Sequence, residues 1–161
     1  MLSIITIGNP LLAKKSSVVP DINADIRRLV SEMFESLGSN GIGLAAVQVG
    51  TAMRLFITKV ARDTPRVFIN PDILETSIEE EPLEEGCLSV PGLYTDIVRS
   101  ASVRVQAWNE KGRPFALSVD GILARVIQHE LDHLNGMLFL DRLGAERRKR
   151  LLAAYDEKLR L

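Results

Sequence analysis

An α+β fold is the architecture this chain predicts, on three observations: a helix-period segment opens it, β-period runs fill its middle, and two further helix-period segments close it. The blocks do not alternate as βαβ units, which sets aside a doubly wound parallel sheet. The 161 residues are 46% apolar and 25% charged, ordinary usage for a globular domain. At that length folding hides about 68–70% of the surface an unfolded chain exposes, so the core needs no staple. A single cysteine, Cys87, cannot form an internal disulfide, which excludes a bridge-stabilised secreted scaffold. The balance of 20 Lys and Arg against 21 Asp and Glu, a net charge of -1, speaks against a generally basic nucleic-acid binder and leaves DNA out as a partner. Gly8, Pro10, Lys14 and Lys15 break up the apolar N-terminal stretch, and no run reaches the roughly 18 to 20 apolar residues of a membrane span. The expectation is one cytoplasmic domain over residues 1–161.

The first helix starts at a cap on Asp21 or Asn23. Ile26, Leu29, Val30, Met33, Phe34 and Leu37 form its apolar face, and Gly38 stops it. Short β-prone runs follow at Arg54 to Thr58 and Arg66 to Asn70, with Pro71 as punctuation. Val103, Val105 and Ala107, then Phe115, Leu117 and Val119 across the Asn109 to Gly112 cluster, alternate as two half-buried strands of a hairpin. From Asp120 the period lengthens, and Ile122, Leu123, Val126, Ile127, Leu131 and Leu134 predict a largely buried helix ending near Gly136. A last helix runs from Ala145 to about Leu159.

Chemistry concentrates in Gln128-His129-Glu130-Leu131-Asp132-His133. Residues four apart share a helix face with Cβ atoms about 5–6 Å apart, so both imidazoles can address one metal ion while Glu130 projects toward a water beside it. Two hydrogen-bonded core histidines would fit the same spacing, but the chain owns only two histidines and uses both here. Cys87, in the turn-like Glu85-Gly86-Cys87-Leu88-Ser89, is the candidate third ligand, because a thiolate binds Zn²⁺ or Fe²⁺ strongly. A lone cysteine is also often a small buried hydrophobe, and spacing does not bring it to a helix 42 residues further on. Three protein ligands and an open fourth position make a catalytic site. Gly41 to Gly50 lacks the Lys-Ser/Thr ending of a phosphate loop and the full dinucleotide spacing. Its small residues suit either a backbone lying against a ligand, with Gln48 as an uncharged donor, or a tight strand-edge turn.

Together, Gly-Ile-Gly-Leu-Ala-Ala-Val-Gln at 41–48, Glu-Gly-Cys-Leu-Ser at 85–89 and Gln-His-Glu-Leu-Asp-His-Leu at 128–134 resemble the three signature motifs of the peptide deformylase family. They stand in the family's order, and the resemblance extends over nearly the whole chain. It implies antiparallel strands packed around a central metal-binding helix, with N-terminal and C-terminal helices. It also implies metal-dependent removal of the N-formyl group from the formyl-methionine of newly made polypeptides, with release of formate. On this sequence the resemblance makes Cys87, His129 and His133 ligands of one divalent metal ion, Fe²⁺ in cells, with Zn²⁺, Ni²⁺ or Co²⁺ as replacements. Glu130 becomes the catalytic acid/base, Gln48 and the backbone N–H of Leu88 the oxyanion hole, and Ile42, Gly43 and Gly86 backbone partners of the peptide.

Ile42, Leu123 and Val126 are expected to wall the methionine pocket. Arg125, one turn before His129, is expected to snorkel to the pocket mouth and pair with an acidic group or the peptide backbone, with Tyr94 also at the rim. Arg142, Arg147, Arg148, Lys149 and Arg150 suggest docking of the C-terminal helix on ribosomal RNA; a solvated helix face is the plainer reading. Two rivals stay open on the His-Glu-Leu-Asp-His motif alone: a zinc endopeptidase, and a catalytically silent metal-binding homologue.

Overall fold

The structure, a computed structural model, describes residues 1–160. Helix α1 (Ala24–Leu37) begins where the Asn23 side chain accepts a hydrogen bond from the Ile26 N–H at 3.1 Å, and it ends at Gly38 with φ +68°. Of the two predicted caps, Asn23 is therefore the one used. Ile26, Val30, Met33 and Leu37 are buried, with Leu29 and Phe34 half-buried beside them. This is the stripe the spacing predicts.

Five antiparallel strands make the main sheet, in the order β1 (Gly43–Ala45), β2 (Leu55–Thr58), β3 (Arg66–Thr76), β6 (Ser102–Trp108) and β7 (Pro114–Asp120). Two further strands, β4 (Glu80–Cys87) and β5 (Val90–Ser100), pair only with each other. Period-2 alternation splits the core into two layers. Leu44, Leu55, Ile57, Val67 and Ile69 face α1, whereas Ala45, Phe56, Phe68, Val103 and Val105 face helix α2 (Gly121–Leu134). Covered on both faces, β2 is buried at every position, and its Phe56 ring stacks on Phe68 with centroids 4.7 Å apart. Helix α2 thus lies against the main sheet on one side and the β4–β5 hairpin on the other. A third cluster, including Val90, Ile97, Phe139, Leu140 and Tyr155, joins that hairpin to the final helix α3 (Ala145–Arg160). No helix of the described residues is long and apolar enough to cross a membrane.

One strand boundary and one hairpin differ from the sequence reading. β3 does not stop at Asn70: it continues through Pro71 to Thr76, because a bulge between Ile69 and Asp72 takes the proline out of the ladder. Asn70, at φ +50°, is held there by two hydrogen bonds to the Val19 backbone, at 2.9 and 3.0 Å. The hairpin β4–β5 was not foreseen as strands. Its inward positions include Glu85, Thr95 and Arg99, so its alternation of faces is not an alternation of hydrophobicity.

Candidate metal centre and active site

The Cys87 motif is the end of β4 together with a two-residue turn, Leu88-Ser89, and this turn is pinned from outside. The Ile7 N–H donates to the Ser89 carbonyl at 2.8 Å, and the Ile5 N–H donates to the Gln48 carbonyl at 2.8 Å. One N-terminal segment therefore ties the hairpin turn to the 3-10 turn Ala46–Val49 that carries Gln48. Across the gap, α2 presents His129, Glu130 and His133. The candidate ligand atoms of Cys87, His129 and His133 all lie within 4.8 Å of one another, with Cys87 Sγ and His133 Nε2 3.3 Å apart. Thiolate plus two imidazoles is a donor set suited to a first-row divalent cation, and the buried Glu130 carboxylate stands beside it, Oε1 4.0 Å from His129 Nε2. The residues present therefore fit the metal their chemistry implies.

Electrostatics around the cluster come from a buried network. Glu85 Oε1 lies 2.8 Å from His129 Nδ1 and accepts from Arg99 at 3.0 Å; Oε2 accepts from Arg99 at 2.6 Å and Arg125 at 2.7 Å. Asp132 accepts from Arg99 at 2.9 Å and from Arg142 at 2.6 and 3.0 Å. Burial by itself would raise the Glu85 carboxyl, but hydrogen bonds from His129 and Arg99 and their charge hold it down at about 2. With its carboxyl held low, Glu85 fixes which way the His129 ring faces, the arrangement that makes an imidazole a better ligand. His133 is fully buried; desolvation, followed by the positive charge of His129 and Arg99, keeps its ring neutral. Burial also dominates at Glu130 and pushes its carboxyl up to about 7. Its Oε2 has no hydrogen-bond partner among the described residues.

Gln48 is buried and oriented by its neighbours. Its Oε1 accepts from the Ala45 N–H at 2.9 Å, so Nε2 is turned toward Ser89 Oγ at 3.1 Å and Cys87 Sγ at 3.5 Å. Gln48, Cys87, His129 and Glu130 line one cleft of about 420 Å³. Ile42, Gly43, Gly86, Leu88, Val126, Arg125 and Tyr94 line it too, as do Leu83, Pro91 and Ile122, which the sequence reading missed. A side chain at Gly43 would put its Cβ 2.7 Å from Val126 Cγ1 and 3.0 Å from Glu130 Oε1, so glycine there leaves the carboxylate reachable.

Leu123 is a correction. It packs into the core cluster between α2 and the main sheet, away from the cleft, and Ile122 borders the cleft instead, half-exposed. The reason is helical phase: 122, 126, 129 and 133 share one face, whereas 123, 127 and 134 share another. Arg125 does not snorkel to the mouth. It is buried at 8% exposure, and its acidic partner is Glu85, deep behind the ligands. Tyr94 is exposed at the rim, with its ring against Gly86. Arg99, Asp132 and Arg142 were missed as parts of the site, because their partners lie on other elements and nothing local in the chain marks them.

The polypeptide deformylase family model matches residues 1–149. The peptide deformylase of Treponema pallidum is 45% identical over 150 residues, covering 92% of this chain and 92% of its own. That of Azotobacter vinelandii is 42% identical over 163 residues, covering 99% and 97%. Among solved structures, the peptide deformylase of Ehrlichia chaffeensis superposes with a TM-score of 0.94 at 38% identity, over 99% of this chain and 97% of that one. A likeness this close over both whole lengths, joined to a thiol and two imidazoles gathered at a buried carboxylate, makes this chain a member of the polypeptide deformylase family.

Proposed function

We propose that Cys87, His129 and His133 hold one divalent metal ion, and that Glu130, Gln48 and the Leu88 N–H act on the formyl group of a formyl-methionyl peptide lying in the cleft. As a deformylase, the protein is a metal-dependent hydrolase that removes the N-formyl group from newly made polypeptides. The carrying observation is the approach of the three ligand atoms to within 4.8 Å beside a buried carboxylate. When bound, the cation supplies Lewis acidity, lowering the pKa of a coordinated water from 15.7 to about 7. Fe²⁺ is the proposed ion in cells, with Zn²⁺, Ni²⁺ or Co²⁺ tolerated by the same donors.

Glu130 accepts a proton from the attacking water and hands it to the amine as the formamide C–N bond breaks, so that water and formamide become formate and a free N-terminus. Its buried place beside the ligands suits both halves of that exchange. Negative charge grows on the formyl oxygen meanwhile. The Gln48 N–H facing Cys87 makes only a 3.5 Å contact and is available to that oxygen, while the bond to Ser89 keeps the amide in place. Losing one such donor typically costs about 2.7–4 kcal/mol in the transition state. Ile42 and Val126 wall the methionine pocket, and the backbones at Ile42, Gly43 and Gly86 receive the peptide.

The test is formate release from formyl-Met-Ala-Ser. Activity is expected to vanish with a strong chelator and to return with Fe²⁺ or Ni²⁺, while internal peptide bonds stay intact. Cleavage of internal bonds would favour the endopeptidase reading, and a metal-loaded protein that releases nothing would favour the silent one.

Formylated nascent chains arise in the cytoplasm, the proposed location, and we propose that α3 docks on the ribosome. Of the five basic candidates in this last segment, Arg142 precedes α3 and pairs with Asp132, while Arg147 and Arg148 on α3 are engaged with Thr95 at 2.7 Å and Asp141 at 2.9 Å. Lys149 and Arg150 are exposed and carry the phosphate contacts. The double variant Lys149→Glu/Arg150→Glu is expected to lose co-sedimentation with ribosomes at low salt; unchanged sedimentation would end this proposal.

A further inference from the structure

We propose that Arg125 is a positioning residue for the metal centre: it clasps the hairpin that carries Cys87 to the helix that carries His129 and His133. The inference rests on the metal reading above. The ligands come from two units that share no strand pairing, since β4–β5 is a separate sheet and α2 packs between it and the main one. A distance between units can be held only by contacts that cross the gap. Arg125 makes three such contacts at once. Its Nη1 donates to Glu85 Oε2 at 2.7 Å and to the Ile97 carbonyl at 2.8 Å, and its Nη2 donates to the Glu81 carbonyl at 2.6 Å. Glu81 and Glu85 belong to β4 and Ile97 to β5, so one guanidinium grips both strands from the helix.

The fork is needed because three acceptors on two strands call for several donors held in one plane, which an ammonium cannot supply from a single point. The position also matters. Glu85, which Arg125 grips, holds His129 through its other oxygen and lies two residues before Cys87 on the same strand. Moving Arg125 therefore disturbs the orientation of one ligand and the approach of another. Arg99 also crosses the gap, to Asp132, and Gln128 donates to the Ser100 carbonyl at 2.9 Å. These keep the hairpin attached when Arg125 is changed, so loss of the clasp loosens the site without unfolding the protein.

Zinc release separates this role from a merely stabilising one. Wild type, Arg125→Lys, Arg125→Met and a core control, Met33→Ala in α1, are loaded with Zn²⁺, and first-order release to a chromogenic chelator is followed alongside the Tm of each protein. Both Arg125 variants are expected to release zinc about 10- to 100-fold faster than wild type, the usual loss of metal affinity on removing support behind a ligand expressed in the release rate. The core control is expected to lower Tm and release zinc at the wild-type rate. Wild-type release from Arg125→Lys, or equally fast release from the core control, would overturn the clasp. Should Arg125→Met fail to fold, Arg125→Lys carries the comparison. A wild-type protein that holds no zinc would overturn the metal reading, and this inference with it.

Discussion

Replacing Cys87 by Ala is expected to abolish formate release and to leave the purified protein with far less than one metal ion per chain. Loss of a group that merely supports a ligand costs about 10–100-fold in metal affinity, so loss of a ligand itself should cost at least about 100-fold. The fold should survive. Cys87 is only half-buried, at the edge of the cluster around Val90 and Phe139, and the turn beside it stays anchored by the Ile7 to Ser89 and Gln48 to Ser89 hydrogen bonds. Metal content by elemental analysis and Tm together check the prediction. Full metal occupancy with intact activity would leave a two-histidine centre and remove the ground for reading this cleft as a deformylase site.

Glu130→Gln is expected to lower kcat by about 10²–10⁴-fold, the usual contribution of a positioned acid/base, with metal content and KM little changed. Glutamine keeps the side-chain shape but can neither take up the proton of the attacking water nor return it to the amine. The same variant should lose no stability. Burial raises the Glu130 carboxyl to about 7, above its ordinary value, so the ionised form is held at a cost to the folded state. That cost is present at pH above the raised value and fades as pH falls through it. A neutral amide removes it, so the metal-free variant is expected to melt at or above the wild-type temperature near pH 8. A large fall in Tm would mean that Glu130 is a structural carboxylate and would undo the acid/base assignment.

Both predictions depend on residues that differed in how openly the chain declared them. His129 and His133 could be read as one face, with Glu130 beside it, because their relation is local: helical geometry puts residues four apart side by side whatever the rest of the chain does. The stripe on α1 and the alternation of β6 and β7 were legible for the same reason, as was the α+β class they add up to. Short-range periodicity needs no knowledge of partners.

Spacing alone concealed the relations that cross from one unit to another; the meeting of Cys87 with the two histidines came from the resemblance to the deformylase motifs, and the structure brings those ligand atoms within 4.8 Å. The β4–β5 hairpin hid because its inward face carries Glu85, Thr95 and Arg99, polar side chains that erase the hydrophobic alternation, and their reason for facing inward lies on α2. Leu123 was taken for a pocket residue because its apolar side chain fits a cleft wall as well as a core. Only the sheet packed against α2 decides that it is core while Ile122 borders the cleft. Arg125 had to find Glu85, Glu81 and Ile97 before it could be anything but a rim cation.

By itself, then, the chain determined the helices, the β6–β7 hairpin, the ligand-bearing helix face and the types of donor on offer, since these follow from spacing and side-chain chemistry. Spacing left open whether a thiol on a distant hairpin meets those histidines, which the motif resemblance implied and the tertiary structure brings about, and the tertiary structure alone decided which charges stand behind them. Burial and long-range contact set an ion pair's partner and a carboxyl's pKa, and neither is a property of neighbouring residues in the chain.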